Sequence, residues 1–192
     1  MPRSREDVRG RLQQAALELY RERGYDRTTT AEIAARAGVT ERTFFRHFPD
    51  KREILFAEDP RLRPALADAV AGAPEGLSPL EILLLTFRSL EQMLKDNRPF
   101  TEPRLEIIAK TPALMERAEA KAAAMTAVLA TALQRRGVEE KLAILAARAG
   151  MAAFSHAASA WREDPSLGLG VHLERAFQTL HGLSAAGAAT TR

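Results

Sequence analysis

A chain of 192 residues, 46% apolar and 28% charged, is long enough for one large core or two small ones and has neither a disordered nor a bilayer-bound composition. Its longest apolar run, Leu142 to Ala147, is far too short to cross a membrane. The start, Met1-Pro2-Arg3-Ser4-Arg5, lacks the apolar stretch of a secretory leader, and the absence of cysteine removes disulfides, thiolate metal sites and cysteine nucleophiles, so a cytoplasmic location is expected.

The net charge of +3 is unevenly placed: residues 1–56 carry 12 Lys or Arg against 9 Asp or Glu, and residues 57–192 balance at 16 against 16. A basic surplus on a small leading segment suits contact with phosphates, although a solvated face alone gives the same bias. Ala, Leu, Glu and Arg dominate and no period-2 pattern occurs, so the expected fold class is all-α. The helix signals place elements at 5–23, 30–36, 41–47, 51–57, 60–71, 79–95, 101–109, 112–136, 139–162 and 165–184. A capping residue followed by proline marks Asp59-Pro60, Ser78-Pro79, Thr111-Pro112 and Asp164-Pro165, and glycine stops stand at Gly24, Gly72 and Gly137. The first helix places Val8, Leu12, Ala15, Ala16 and Leu19 on one face.

Residues 28–48 hold the most informative pattern. Thr29 and Glu32 form a capping box, Gly38 ends the short helix after it, and Thr40 caps the next one. Two stubby helices joined this closely cross steeply, which requires a small residue at the contact, Ala34, and apolar partners, Ile33, Val39 and Phe44. Glu41, Arg42, Thr43 and Arg46 then face outward at the start of the second helix, where a recognition helix meets base edges. Small residue, glycine four later and apolar residue six after that, between two caps, all serve one geometry.

These residues resemble the N-terminal domain of the TetR family of bacterial regulators over roughly Arg9 to Phe56. The likeness rests on Gly24-Tyr25, the threonine run, Ile33-Ala34, Ala37-Gly38-Val39, Thr43-Phe44-Phe45-Arg46-His47-Phe48, Pro49-Asp50-Lys51 and Ile54-Leu55. It implies a three-helix DNA head over 1–50 and a larger helical ligand-binding and dimerisation domain over 51–192. It further implies a repressor that binds a palindromic operator as a homodimer and leaves it on binding a small hydrophobic effector. Thr29 and Thr40 sit at the helix starts facing DNA. Arg42 and Thr43 match positions that reach bases or nearby phosphates, and Glu41 and Arg46 flank them. His47 and Lys51 match phosphate-contacting positions, Lys51 at the start of the helix expected at 51–57. Arg3 and Arg5 lie on an arm that reaches backbone or minor groove, or form a basic tail. Phe45 departs from the family pattern, which has tyrosine there, so a phosphate-binding hydroxyl is missing.

Beyond residue 57 the pattern is less specific. The helix expected at 79–95 is apolar around most of its circumference, as a pocket wall would be. Phe87, Met93, Phe100, Met115, Met125, Phe154 and Trp161 are the large adaptable side chains available to line a pocket, although core packing is the plainer reading of each taken singly and the pocket follows mainly from the resemblance. The stretch from Arg104 to Gly137 is similar to C-terminal domains of mycofactocin-type TetR regulators, which implies an anionic or acyl-thioester effector, with Arg88, Arg104 or Arg148 as its counter-charge. The expected helix 139–162 is dense in alanine and pairs with 165–184, which matches the family's dimer-forming helices and equally the interior hairpin of a monomer. Catalysis is not expected. Ser155 and His156 are sequence neighbours that diverge on a helix, and His172 and His181 lack metal-pair spacing. No catalytic residue, cofactor or metal is assigned. A helical protein-binding module would leave residues 29–51 without a purpose.

Overall fold

A computed structural model of the chain describes residues 5–57 and 60–185. Among the described residues all regular structure is helical: α1 Arg5–Arg23, α2 Thr30–Arg36, α3 Glu41–His47, α4 Leu62–Ala71, α5 Pro79–Ser89, α6 Glu91–Ala109, α7 Pro112–Arg135, α8 Glu140–Glu163 and α9 Gly168–Ala185, with a 3₁₀ turn at Pro165–Leu167. The chain forms two compact units, one from residues 1–58 and 97–121, the other from 59–96 and 122–192. Among the described residues no helix is long and apolar enough to cross a membrane.

The first unit is built on the apolar face expected for α1. Leu12, Ala15, Ala16 and Leu19 are buried with Ile33 and Ala34 of α2, Phe44 of α3, and Phe48 just past it. Burying a leucine or phenylalanine contributes about 1.5–3 kcal/mol, so these few side chains hold two seven-residue helices too short to persist alone. Ile107, Ile108 and Leu114, from the end of α6 and the start of α7, complete the same core.

The second unit is organised by the close approach of α5 and α8. A Cβ added at Gly150 would lie 2.6 Å from Leu83 Cδ1, so only glycine leaves room for that leucine. Ala143, Ala146, Ala147, Ala153 and Ala157 of α8 are likewise buried against α5 and α9, and the small-residue face of α8 is consumed within the unit. Filling such a contact costs about 1–3 kcal/mol in strain. Glu91, at the start of α6, accepts from the Gly170 backbone N–H at the start of α9. A Cβ at Gly170 would lie 2.9 Å from its Oε2.

Four expected elements differ. Residues 51–56 form tight turns, with Leu55 N–H on Arg52 O at 2.9 Å and Phe56 N–H on Glu53 O at 3.2 Å, where a helix is expected at 51–57. Ile54, Leu55 and Phe56 are all buried, and these bonds close over three residues where an α-helix closes over four. The element expected at 79–95 breaks at Leu90, where the Thr86 and Ser89 hydroxyls bond back to the carbonyls of Ile82 and Thr86. From Glu91 the chain runs as one helix through Pro99 and Pro103, with no separate start at 101. The element expected at 165–184 opens as the 3₁₀ turn, and Gly168, at φ +73°, begins α9.

Candidate nucleic-acid interface

The turn between α2 and α3 is fixed from both ends. Thr29 and Glu32 make the capping box: Glu32 N–H donates to Thr29 Oγ1 at 3.2 Å, and Thr29 N–H to Glu32 Oε2 at 2.9 Å. These bonds from Thr29, backbone first, hold the Glu32 carboxyl below the usual glutamate range. Gly38 takes φ +69° at the exit, so Val39 N–H reaches Ala34 O at 2.9 Å and Gly38 N–H reaches Ala35 O at 3.0 Å. Thr40 then caps α3 by accepting from Thr43 N–H at 3.2 Å. At the crossing Ala34, Ile33 and Phe44 are almost wholly buried, and Val39 is half-buried.

This anchoring turns one face of α3 outward. Glu41, Arg42, Phe45 and Arg46 are exposed; Thr43 and His47 are half-buried. Glu41 Oε1 accepts from Thr30 Oγ1 at 2.5 Å, which ties the start of α3 to the start of α2. The acids of α1 and α2 are occupied nearby: Glu22 and Glu18 pair with Arg36 and Glu32 with Arg23. The hydrogen bond from Arg36 lowers the Glu22 carboxyl. Among the described residues no ion pair engages Arg42 or Arg46, which lie one helical turn apart. The exposed stripe of α3 thus offers two unengaged guanidiniums and one bare aromatic ring.

Lys51 is placed differently from expectation. Its ammonium donates to Tyr25 O at 2.9 Å, Thr28 O at 2.9 Å and Asp26 O at 3.3 Å, and lies 4.4 Å from the centroid of the Tyr25 ring. An ammonium has three protons, and all three are directed at the turn that precedes α2. No helix begins at Lys51, so the anion-favouring helix start expected there is absent; Asp50 caps the turn instead, accepting from the Arg52 and Glu53 N–H groups. The Tyr20 hydroxyl donates to Lys51 O at 2.8 Å, and burial is the foremost cause raising its pKa. Two supporting residues carry no legible signal in the sequence. Arg11 Nη1 donates to Ala37 O at 2.7 Å and braces the inter-helix turn, and the Arg9 guanidinium stands 4.8 Å over the Phe48 ring. Both are ordinary helix-surface arginines until the fold brings their partners near. Arg3 lies outside the described residues, and Arg5 is the first residue of α1.

The seven side chains named as pocket candidates do not form one group. Phe87, Met93, Met125, Phe154 and Trp161 pack in or against the core of the second unit, with Phe87 and Phe154 ring centroids 4.8 Å apart. Phe100 and Met115 are exposed and belong to the first unit. None of the seven lines either of two open clefts, one bordered by Tyr20, Tyr25, Arg27, Ile107 and Lys110, the other by His156, Glu163, His172 and Arg175. Of the arginines considered for an anion, Arg88 pairs with Glu174 at 2.5 Å. Among the described residues no group of three His, Asp or Glu side chains is placed to hold a metal ion.

Comparison with known proteins agrees with this geometry. The family model for bacterial regulatory proteins of the tetR family matches residues 12–57, and the model for the MftR C-terminal domain matches residues 77–184. The HTH-type transcriptional regulator TcmR of Streptomyces glaucescens is 30% identical over 114 residues, 56% of this chain and 50% of TcmR. The HTH-type transcriptional repressor Rv3405c of Mycobacterium tuberculosis is 42% identical over 57 residues, 30% of each chain. The chain thus spans half or less of the curated relatives it matches. Among solved structures, Thermus thermophilus FadR in complex with lauroyl-CoA aligns with TM-score 0.55 and 25% identity, over 90% of this chain and 92% of that one. The fold of NalD from Pseudomonas aeruginosa aligns with TM-score 0.61 at 22% identity, over 92% and 96%.

Proposed function

Because the chain belongs to the TetR family of bacterial regulatory proteins, we propose that it is a non-catalytic cytoplasmic repressor that binds a palindromic DNA operator as a homodimer and is released by a small hydrophobic effector. The observation that carries this reading is the outward stripe of α3, where Arg42 and Arg46 stand clear of ion pairs among the described residues while the caps and core behind them are fully engaged. DNA reading is assigned within residues 1–50. Arg42 and Thr43 address base edges; Glu41, Phe45, Arg46 and His47 flank them, and Thr29 and Thr40 set the helix starts. Arg3 and Arg5 are given to the backbone or minor groove. A guanidinium paired with guanine contributes about 1–3 kcal/mol of discrimination. For Lys51 the three carbonyl bonds favour a positioning role over a phosphate contact.

Effector binding and dimerisation are assigned within residues 51–192. The neighbour with bound lauroyl-CoA and the match to the MftR C-terminal domain favour an acyl thioester or a similar apolar anion. Phe87, Met93, Met125, Phe154 and Trp161, which pack together in the second unit, are the side chains proposed to meet it. The dimer forms through α8 and α9, whose outer faces carry exposed Leu142, Leu145 and Val171. Coupling runs through α6 and α7, which contribute Ile107, Ile108 and Leu114 to the core behind the DNA head and continue as residues of the second unit. A ligand that fits better when the two heads leave their spacing of about 34–36 Å shifts the population away from DNA. A tenfold to hundredfold loss of affinity needs about 1.4–2.7 kcal/mol of such preference. The test is fluorescence anisotropy of the full chain on a fragment from its own genome, titrated with lauroyl-CoA and with coenzyme A alone. Release by the acylated form only is expected; equal binding at every concentration of both refutes an acyl-thioester effector.

A further inference from the structure

The geometry points to Phe45 as the residue that reads thymine in each half-site by covering its C5-methyl group, an inference that rests on the DNA-binding reading above. Phe45 is 52% exposed on a helix whose other outward residues, Glu41, Arg42 and Arg46, are charged. Its position is nonetheless fixed. The ring stands edge-on to Phe44, centroids 5.4 Å apart at 82°, and Phe44 is fully buried. One side of the ring is therefore anchored and the other bare, one turn from Arg42 on the same stripe.

A phenyl ring has no donor or acceptor, so it bonds neither a phosphate nor the polar edge of a base. The one apolar feature that a major groove displays is the thymine methyl, which also separates that base from cytosine. The neighbouring charges choose the occupant. A groove apolar enough to cover Phe45 alone would desolvate Arg42 and Arg46 beside it, whereas duplex DNA supplies the methyl together with the phosphates and guanine that pair with those guanidiniums. Removing one methyl from such a contact forfeits about 0.8 kcal/mol, a factor of about four in affinity, and about sixteenfold when both half-sites lose it.

The full chain is first used to select its preferred duplex from a random pool. Each thymine of that duplex is then replaced singly by deoxyuridine, which lacks only the methyl, in both half-sites together. Wild type is expected to lose about sixteenfold at one symmetry-related pair of positions. Phe45→Leu is expected to keep most of that difference, and Phe45→Ala to bind both duplexes equally. If a motif is selected but deoxyuridine is tolerated everywhere, the thymine contact is wrong and the DNA-binding reading stands. If Phe45→Ala keeps the full difference, another residue reads the methyl. If no motif is selected, both readings fall.

Discussion

Replacing Lys51 by methionine keeps the length of the side chain and removes its charge and three protons, which separates a structural clamp from a phosphate contact. Two of the three bonds, to Tyr25 O and Thr28 O, are part-buried, and the third, to Asp26 O, is open to water. A hydrogen bond involving a charged group contributes about 1.5–3 kcal/mol net, so losing two, discounted for water that takes their place, weakens the turn before α2 by about 2–4 kcal/mol. The consequence is local opening, because α1 and its core do not depend on that ammonium. Amide hydrogen exchange of the full chain should therefore accelerate about 30-fold or more across residues 24–34 and remain unchanged in α8. DNA affinity falls with it, but the slope of log affinity against log salt stays that of wild type, since no phosphate contact is lost. A slope shallower by about 0.9, with exchange unaltered, would refute the clamp and restore Lys51 to the phosphate backbone.

Gly38→Ala should lower DNA affinity about tenfold in anisotropy titrations, because a Cβ at φ +69° costs about 1–2 kcal/mol and meets Arg11 Nη1 at 3.5 Å; Gly38→Asn, which tolerates that conformation, should retain most of it. Tyr20 and Tyr25 are the only tyrosines, and burial foremost raises both above the ordinary 10.0. The fold favours the neutral phenols, so their contribution is complete below pH 10 and is lost as the pH rises beyond it. Tyrosinate absorbance of the folded protein should thus be delayed beyond pH 10, and reversible titration of both tyrosines near pH 10 with helical circular dichroism intact would contradict the packing described. Leu145, 65% exposed on α8, should yield a monomer on sedimentation when changed to glutamate, with helix content intact; a variant that stays dimeric moves the interface elsewhere. Ala153 is no substitute for that test, since it is buried inside its own unit and a charge there attacks the fold.

The parts of the molecule that were legible in the sequence are those governed by local chemistry. Thr29 with Glu32, Gly38, Thr40 and Ser78 with Glu81 each determine a bond within four residues, and α2 and α3 fall where these signals place them. The same holds for the exposure of Arg42 and the burial of Ala34 and Phe44, which follow from helical phase once the turn is known. The illegible parts depend on partners distant in the chain. Nothing within four residues of Lys51 indicates that its proton acceptors lie at 25–28. Nothing near Gly150 announces Leu83, so the alanine face of α8 reads equally as a subunit interface or as internal packing. Pro99 and Pro103 argue locally for interruption, yet α6 runs through both. The start of α9 after Pro165–Leu167 meets the Glu91 carboxylate from far along the chain, whereas the break at Leu90 follows hydroxyl back-bonds that span no more than four residues.

The central claim is that Arg42, projected from a short helix braced by Ala34, Gly38 and Phe44, selects bases. Sequencing the duplexes retained from a randomised pool by wild type and by Arg42→Ala tests it most directly. Wild type should enrich an inverted repeat, and the variant should keep the repeat spacing while losing preference at one position per half-site, by about tenfold or more. Identical motifs of equal strength from both proteins would contradict it.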